Sequence, residues 1–425
     1  MKQSENHWPK RWTKLIAHHE QIKLKNDDKR FKVCAAGRRS GKTERAKRKL
    51  VTEAFRTPGL YFAAAPTYNQ VKRIYWKDLK LLTPEWFQLK KPSESELTIY
   101  LKNGSEIQLI GMDKPARIEG VPWCGGVGDE YADWKPEAWK ENLRPALSTP
   151  GLNAWCWLTG VPDGLNHFYD QAEYAKTSGE SEWGFYTWKS SDILDKKEIE
   201  AAKRELDSRT FKQEYEASFE TATGKIYEDY SDLNSTDREF NPGSNIIWSH
   251  DFNFLPLSSF IAQQDGENTY CVDEIVLDHA IARQAAEEFV ERYKDHKRCK
   301  VYLYGDPAGK AGEKHGHLSD YIEMENVLRR AGFTVERKVL RSTRSIKDSQ
   351  ASLRSRLCNA LGERRFFVNP RKCPTLDKGL KTVQAKKGST FLEDESNPSQ
   401  HITTAARYFT EYEFPIYGKP KVTIR

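Results

Sequence analysis

The sequence predicts an α/β protein of two domains, and three observations predict it. Short apolar segments alternate with helix-length amphipathic ones through the first half of the chain. A glycine-bearing turn over residues 36–43 sits between one such strand and a basic helix. A polar stretch, Glu220–Asn245, then interrupts the alternation, which starts afresh behind it. A length of 425 residues accommodates two or three domains.

The elements follow in order. Residues 1–30 are polar and basic, with a helix expected around Trp12–Leu24. Phe31–Ala36 reads as a strand and Lys42–Phe55 as a helix. Leu60–Ala65 is a second strand and Asn69–Leu81 a second helix. A hairpin pairs Leu97–Leu101 with Glu106–Ile110, because Asn103-Gly104 supplies a two-residue turn. Strands at Cys124–Gly128 and Ala154–Leu158 complete a largely parallel sheet. From Asp192 to Phe219 the period is helical, and residues 165–222 are expected to form a small helical subdomain. The first domain is thus residues 1–222, with a linker at 223–244. In the second domain, 245–425, three strands (Asn245–Asp251, Ser258–Gln264, Thr269–Leu277) precede the helix Ala280–Tyr293. The strand Lys300–Tyr304, the helix Leu318–Ala331, the strand Thr334–Val339 and further helices follow. That order, three strands, helix, strand, helix, strand, is the order of a ribonuclease H-like domain.

Composition narrows the function classes. Lys+Arg 68 against Asp+Glu 61 leaves a net charge of +7, which fits an anionic partner. No run of about twenty apolar residues occurs, so no membrane span is expected. The opening MKQSENHWPK has no apolar core, so no signal peptide is expected either. The seven cysteines are scattered, odd in number and never spaced C-x-x-C, which fits reduced thiols and argues against a zinc ribbon.

Residues 36–43 read A-G-R-R-S-G-K-T, a P-loop with the strand and helix that such a loop requires on its two sides. Gly37 and Gly41 let backbone N–H groups of the loop, including those of Arg38, Arg39 and Ser40, turn toward phosphates. Lys42 can reach the terminal phosphates, and the Thr43 hydroxyl can ligate Mg²⁺. The partner acids are sought at the end of C-G-G-V-G-D-E. There Asp129 would bind Mg²⁺ through water, and Glu130 would orient and deprotonate the attacking water. Arg38, Arg39 and Arg117 are the cations that could neutralise charge on the γ-phosphoryl, one in cis and another as a finger onto a neighbouring subunit's nucleotide.

With G-R-R-S-G-K-T at 37–43, A-P-T-Y-N-Q at 65–70, D-E at 129–130, D-F at 251–252 and G-D-P at 305–307, the chain resembles the large terminase subunit of tailed bacteriophages over nearly its whole length. The resemblance implies an ATP-driven motor that packages double-stranded DNA into a procapsid, with a metal-dependent nuclease that cuts concatemers. It implies ATP and Mg²⁺ in the first domain and Mg²⁺ or Mn²⁺ in the second. It also implies a small terminase subunit and a portal as partners, a homo-oligomeric ring during packaging and the host cytoplasm as location. Gln21 looks like the family's adenine-reading glutamine, and Thr159 in L-T-G-V-P resembles the segment that couples hydrolysis to movement.

Cleavage with two metals needs several carboxylates around a pair about 3.5–4 Å apart. Asp251 ends the first strand of the second domain and Asp306 the fourth, strands that lie side by side in a ribonuclease H-like sheet. The family pattern H-x-x-D-A-x-R-Y would give a third acid, but here Thr404 follows His401 at that position. Asp394 is ranked first as the replacement, with Glu395, Glu274 and His401 as alternatives. The basic run Arg341–Arg356 is the expected DNA-facing element, ahead of Lys42–Lys49, Arg329–Lys338 and Arg364–Lys372. The rival readings are a DNA-dependent helicase or remodelling ATPase with a non-cleaving second domain, and an assembly protein that keeps nucleotide as a structural ligand.

Overall fold

The computed structural model describes residues 18–416 apart from 221–223, 254, 311–318, 343, 387–388 and 390. The described residues of Met1–Ile199 and Lys212–Glu220 form one compact unit, and those of Glu200–Phe211 and Thr221–Arg425 form another.

The first unit is built on seven strands: β1 (Phe31–Ala36), β2 (Leu60–Ala65), β3 (Thr98–Tyr100), β4 (Glu106–Gly111), β5 (Trp123–Gly128), β6 (Trp155–Gly160) and β7 (Trp183–Trp188). Their order is β3-β4-β2-β5-β6-β1-β7, parallel except for the β3–β4 hairpin. Helices cover both faces, so β1 is buried along its whole length, as the run F-K-V-C-A-A suggests. Strand β5 is poor in large apolar residues, and packing explains why. A Cβ at Gly126 would stand 2.4 Å from the Phe62 ring, and one at Gly125 would stand 2.3 Å from the Trp155 indole. The glycines leave room for rings from the strands on either side.

Three features of this unit differ from the sequence expectation. The mostly helical stretch 165–222 contains a strand, β7, which pairs in parallel with β1 and completes the sheet. Its alternation is of aromatic residues, W-G-F-Y-T-W, among helix-like neighbours. The helix expected over Asn69–Leu81 is split by a five-residue π-turn, Lys72–Trp76. The helix near the start is His19–Asn26, and the part of the expected helix before residue 18 lies outside the described residues.

The second unit holds β8 (Ile246–Asp251), β9 (Leu257–Asp265), β10 (Asn268–Leu277), β11 (Val301–Gly305), β12 (Val335–Arg337) and β13 (Phe366–Val368). The order is β12-β11-β8-β9-β10-β13. Strands β8, β9 and β10 run antiparallel, while β11 pairs with β8 and β12 in parallel. Counting from β8, the first five strands are arranged 3-2-1-4-5, the ribonuclease H-like order. Helix Gln400–Glu413 lies across β8, β9 and β11. Strand β13, three residues long, adds an edge beside β10 that its length hid in the sequence.

The stretch expected as a linker is a packed strap in its described part. Ile226, Tyr227 and Tyr230 are buried in the core of the second unit, and the Tyr230 hydroxyl donates to Asp377 at 2.7 Å. Its Ser, Thr, Asp and Asn content concealed these three anchors.

Candidate active sites

Beyond β1 the chain turns through Gly37–Gly41 into helix Lys42–Arg56. Gly41 has φ 82°, a left-handed conformation that glycine adopts without a side-chain clash. The loop is braced from outside. Gly37 N–H donates to the Trp188 carbonyl at 3.1 Å, and Arg38 N–H donates to that of Glu214 at 2.6 Å. The N–H groups of the first helical turn have no intrahelical acceptor, so this end of the helix suits a phosphate. Lys42 is buried beside it, at 6% exposure.

Asp129 follows β5 and is fully buried. Strand β6 lies between β1 and β5 and carries Thr159 to the same edge. The Asp129 carboxylate accepts from Thr43 Oγ1 at 3.0 Å, from Thr159 Oγ1 at 2.5 Å and from the Glu130 N–H at 3.1 Å. A fourth donor, the Tyr75 hydroxyl at 3.0 Å, is one that sequence reasoning missed. No motif marks Tyr75; the π-turn that aims it is visible only in three dimensions. The hydroxyl-to-carboxylate link between Thr43 and Asp129 is the donor set that suits a Mg²⁺–nucleotide complex.

Glu130 has φ 49°, a strained conformation for a residue with a side chain. Burial pushes its carboxyl up to about 7, with Lys42 opposing the shift and Asp129 adding to it. A carboxyl that titrates near neutrality is suited to proton exchange with water.

The remaining residues expected at this site divide. Ser40 is buried, its hydroxyl donating to the Gly37 carbonyl at 2.5 Å. Gln21 does not stand open for an adenine. It is 1% exposed, donates to the Ser40 carbonyl at 2.9 Å and accepts from Arg45 at 3.1 Å, so it clasps the loop. Arg38 is held by Glu214, with Nη2 donating at 3.0 Å. Arg39 is exposed at the tip of the loop with φ 56°. Arg117 lies on an exposed turn, 3.9 Å from Asp113, and has no contact with the loop among the described residues.

In the second unit, the parallel register sets Gly305 opposite His250, which brings Asp306 and Asp251 together at adjacent strand ends. Asp251 Oδ2 lies 2.9 Å from His401 Nδ1 and accepts from Asn253 Nδ2 at 3.0 Å. The Tyr408 phenol stands near both aspartates, and burial together with the charges of Asp306 and Asp251 pushes its ionisation up. Sequence reasoning missed Asn253 and Tyr408. His401, held as an alternative, is the one that reaches Asp251.

Asp394 does not join this pair. Its carboxylate accepts from the Ser396 N–H at 3.0 Å and closes its own turn, which holds it below the usual carboxylate range. Glu274 accepts from the N–H groups of Thr375 and Leu376 at the start of helix Pro374–Thr382. Thr404 accepts from Arg407 at 2.6 Å. Among the described residues no group of three His, Cys, Asp or Glu side chains is placed to hold a metal ion. The two aspartates offer hard oxygen donors for a divalent cation, but they do not amount to a complete two-metal set.

The basic run Arg341–Arg356 is also corrected. Helix Ile346–Leu357 buries every residue from Ser349 to Leu357. Arg354 Nε lies 3.3 Å from the buried Asp207, Arg344 Nε lies 3.7 Å from Glu411, and Arg356 stacks on Phe414 at 4.0 Å. Much of the other runs is likewise paired inside its own unit. Lys47 meets Asp78 at 2.6 Å, Lys49 meets Glu53 at 2.9 Å and Lys338 meets Glu413 at 2.9 Å.

The two units thus define a P-loop nucleotide-binding domain and a ribonuclease H-like domain on one chain. Residues 33–231 match the family described as terminase large subunit, T4likevirus-type, N-terminal. The large terminase subunit of Thermus phage G20c is 26% identical over 177 residues, 36% of this chain and 35% of that protein. That of Escherichia phage T5 is 25% identical over 213 residues, 49% of this chain and 48% of that protein. These matches span about a third to a half of the relatives' length. The large terminase of a thermophilic bacteriophage superposes with a TM-score of 0.63 at 18% identity, covering 92% of this chain and 98% of that one. Its complex with ATP-gamma-S superposes at 0.61. The resemblance to terminase large subunits therefore holds: residues 33–231 match the family's N-terminal model, and the chain has the large-terminase fold. No helix among the described residues is long and apolar enough to cross a membrane.

Proposed function

We propose that this chain is a genome-packaging motor subunit with two activities. ATP hydrolysis at the P-loop drives double-stranded DNA into a procapsid, and the second unit cuts concatemeric DNA with a divalent metal. The observation that carries the reading is the Asp129 carboxylate 3.0 Å from Thr43, with Glu130 beside it at the strand end. Lys42 offsets charge on the terminal phosphates, and Asp129 with Thr43 holds the place of Mg²⁺. Glu130 takes the proton of the attacking water, and its titration near 7 supports that role. Arg39 and Arg117 are the exposed cations available for the transferring phosphoryl group, Arg117 being the candidate finger toward a neighbouring subunit. Thr159 links Asp129 to β6 and so can pass a change at the nucleotide into the sheet.

Asp251 and Asp306, with His401 against Asp251, are the proposed cutting residues, and Mg²⁺ or Mn²⁺ suits their oxygens. The small terminase subunit, the portal, a packaging ring and the host cytoplasm are parts of the same proposal, and the free chain is compatible with a monomer. The motor activity is assigned to the first unit and the cutting activity to the second, which includes Glu200–Phe211. The test is paired: ATP turnover with and without duplex DNA, and Mn²⁺-dependent plasmid cleavage. Turnover without cleavage by the intact chain favours the second reading, an ATPase with a non-cleaving second unit. The observation on that side is Thr404, a neutral residue tied to Arg407.

A further inference from the structure

An ionised carboxylate has about four lone-pair positions. All four on Asp129 are engaged: Oδ2 by Thr43 and Tyr75, Oδ1 by Thr159 and the Glu130 N–H. Three of these donors come from the loop, the neighbouring strand and the next residue along the chain. Tyr75 alone comes from the helical connection after β2. It arrives through the π-turn Lys72–Trp76, and such insertions recur at functional sites. The insertion shifts the helical phase so that successive residues, Tyr75 at 0% and Trp76 at 4% exposure, both point inward. The Tyr75 hydroxyl thus meets the Asp129 carboxylate in a fully buried setting. Around it, Lys47 Nζ stands 5.5 Å from the ring and is itself fixed by Asp78 at 2.6 Å. The tyrosine is therefore contacted at its ring as well as at its hydroxyl.

We propose that Tyr75 is a positioning residue of the nucleotide site: its hydroxyl fixes the rotation of the Asp129 carboxylate so that Oδ2 holds the Thr43 hydroxyl proton and leaves the lone pairs of the Thr43 oxygen facing a nucleotide-bound divalent cation. The inference rests on the P-loop reading above. A free buried carboxylate with one donor missing would turn toward its remaining donors, and the metal would lose an aligned oxygen. The metal-free nucleotide, which relies on the loop N–H groups and Lys42, would not register the change.

The test compares binding of ADP alone and of Mn²⁺·ADP to the full chain and to Tyr75→Phe, which keeps the ring. Calorimetry gives both affinities, and the Mn²⁺ electron paramagnetic resonance spectrum reports the metal directly. The expected result is a loss of about tenfold for Mn²⁺·ADP, the scale of a hydrogen bond to a charged group, with ADP alone unchanged. Equal affinities of the two proteins for Mn²⁺·ADP overturn the proposal, as does an equal loss for both ligands. If the phenylalanine variant does not fold, 3-fluorotyrosine at position 75 replaces it. Its stronger donor is expected to tighten Mn²⁺·ADP binding, and an unchanged affinity is again the contrary result. A wild-type chain that binds neither ADP nor Mn²⁺·ADP counts against the P-loop reading itself.

Discussion

The two acidic sites are stabilised in opposite ways. At the P-loop, Asp129 is fully buried and four protein donors satisfy it, so its geometry is set before any cation arrives. At the second site, Asp251 and Asp306 are brought together by strand register, with one histidine, one asparagine and one tyrosine around them. Close carboxylates with few donors repel each other and favour a divalent cation. The first site is preorganised by hydrogen bonds, whereas the second has fewer donors and is the one a divalent cation would complete.

The contrast is most open to refutation at the second site. Asp251→Ala or Asp306→Ala is expected to reduce Mn²⁺-dependent plasmid cleavage to background while ATP turnover stays at the wild-type level. Cleavage by both variants would remove these residues from the site. At the first site, Lys42→Ala is expected to lower kcat for ATP roughly 10²–10³-fold, the scale for losing a group that stabilises developing charge, with cleavage retained. Steady-state phosphate release and a plasmid-nicking gel check the two arms.

A third change asks whether the run Arg341–Arg356 holds the fold or holds DNA. Arg354→Ala leaves the buried Asp207 without its cation, an arrangement that costs about 3–5 kcal/mol. The expected outcome is a lower unfolding midpoint, read by denaturant titration. A wild-type midpoint with weaker duplex binding would restore the DNA-facing interpretation.

Smaller effects follow from single carboxyls. Glu130 must be ionised to act as a base, and its carboxyl is pushed up to about 7, so kcat/KM for ATP should rise through pH 7 and level off above it. The sign for stability is the reverse. A raised folded-state value favours the protonated form, so the Glu130 contribution to folding falls as pH rises from the usual carboxylate range toward 7. A profile flat from pH 6 to 8 would contradict this assignment. Smallest of all, Asp394→Ala should cleave like the wild type, because that carboxylate closes its own turn.

Legibility in the sequence followed the same division. The P-loop residues are contiguous, and the strands around them are apolar, so the loop, most strands of both sheets and the Asp129–Glu130 pair could be read directly. The order of strands in the second unit exposed Asp251 and Asp306 for the same reason. What depends on distant segments was not legible. Tyr75 reaches Asp129 only because a π-turn shifts its phase. Asp394 ranks ahead of His401 in the sequence, and only the fold shows that His401 is the one that faces Asp251. Charge runs misled because Asp207, Glu411 and Asp78, which neutralise them, are far away in sequence. Strand β7 was hidden by its helical neighbours, and the strap 224–244 by its polar composition.

On the reading proposed here, a preorganised Asp129–Glu130 pair makes the first unit an ATPase. Single-turnover hydrolysis of ATP by Glu130→Gln, with Mg²⁺ and duplex DNA present, tests it most directly. The variant is expected to bind ATP as the wild type does and to leave it intact on the timescale of wild-type turnover. Hydrolysis at the wild-type rate would contradict that role for Glu130.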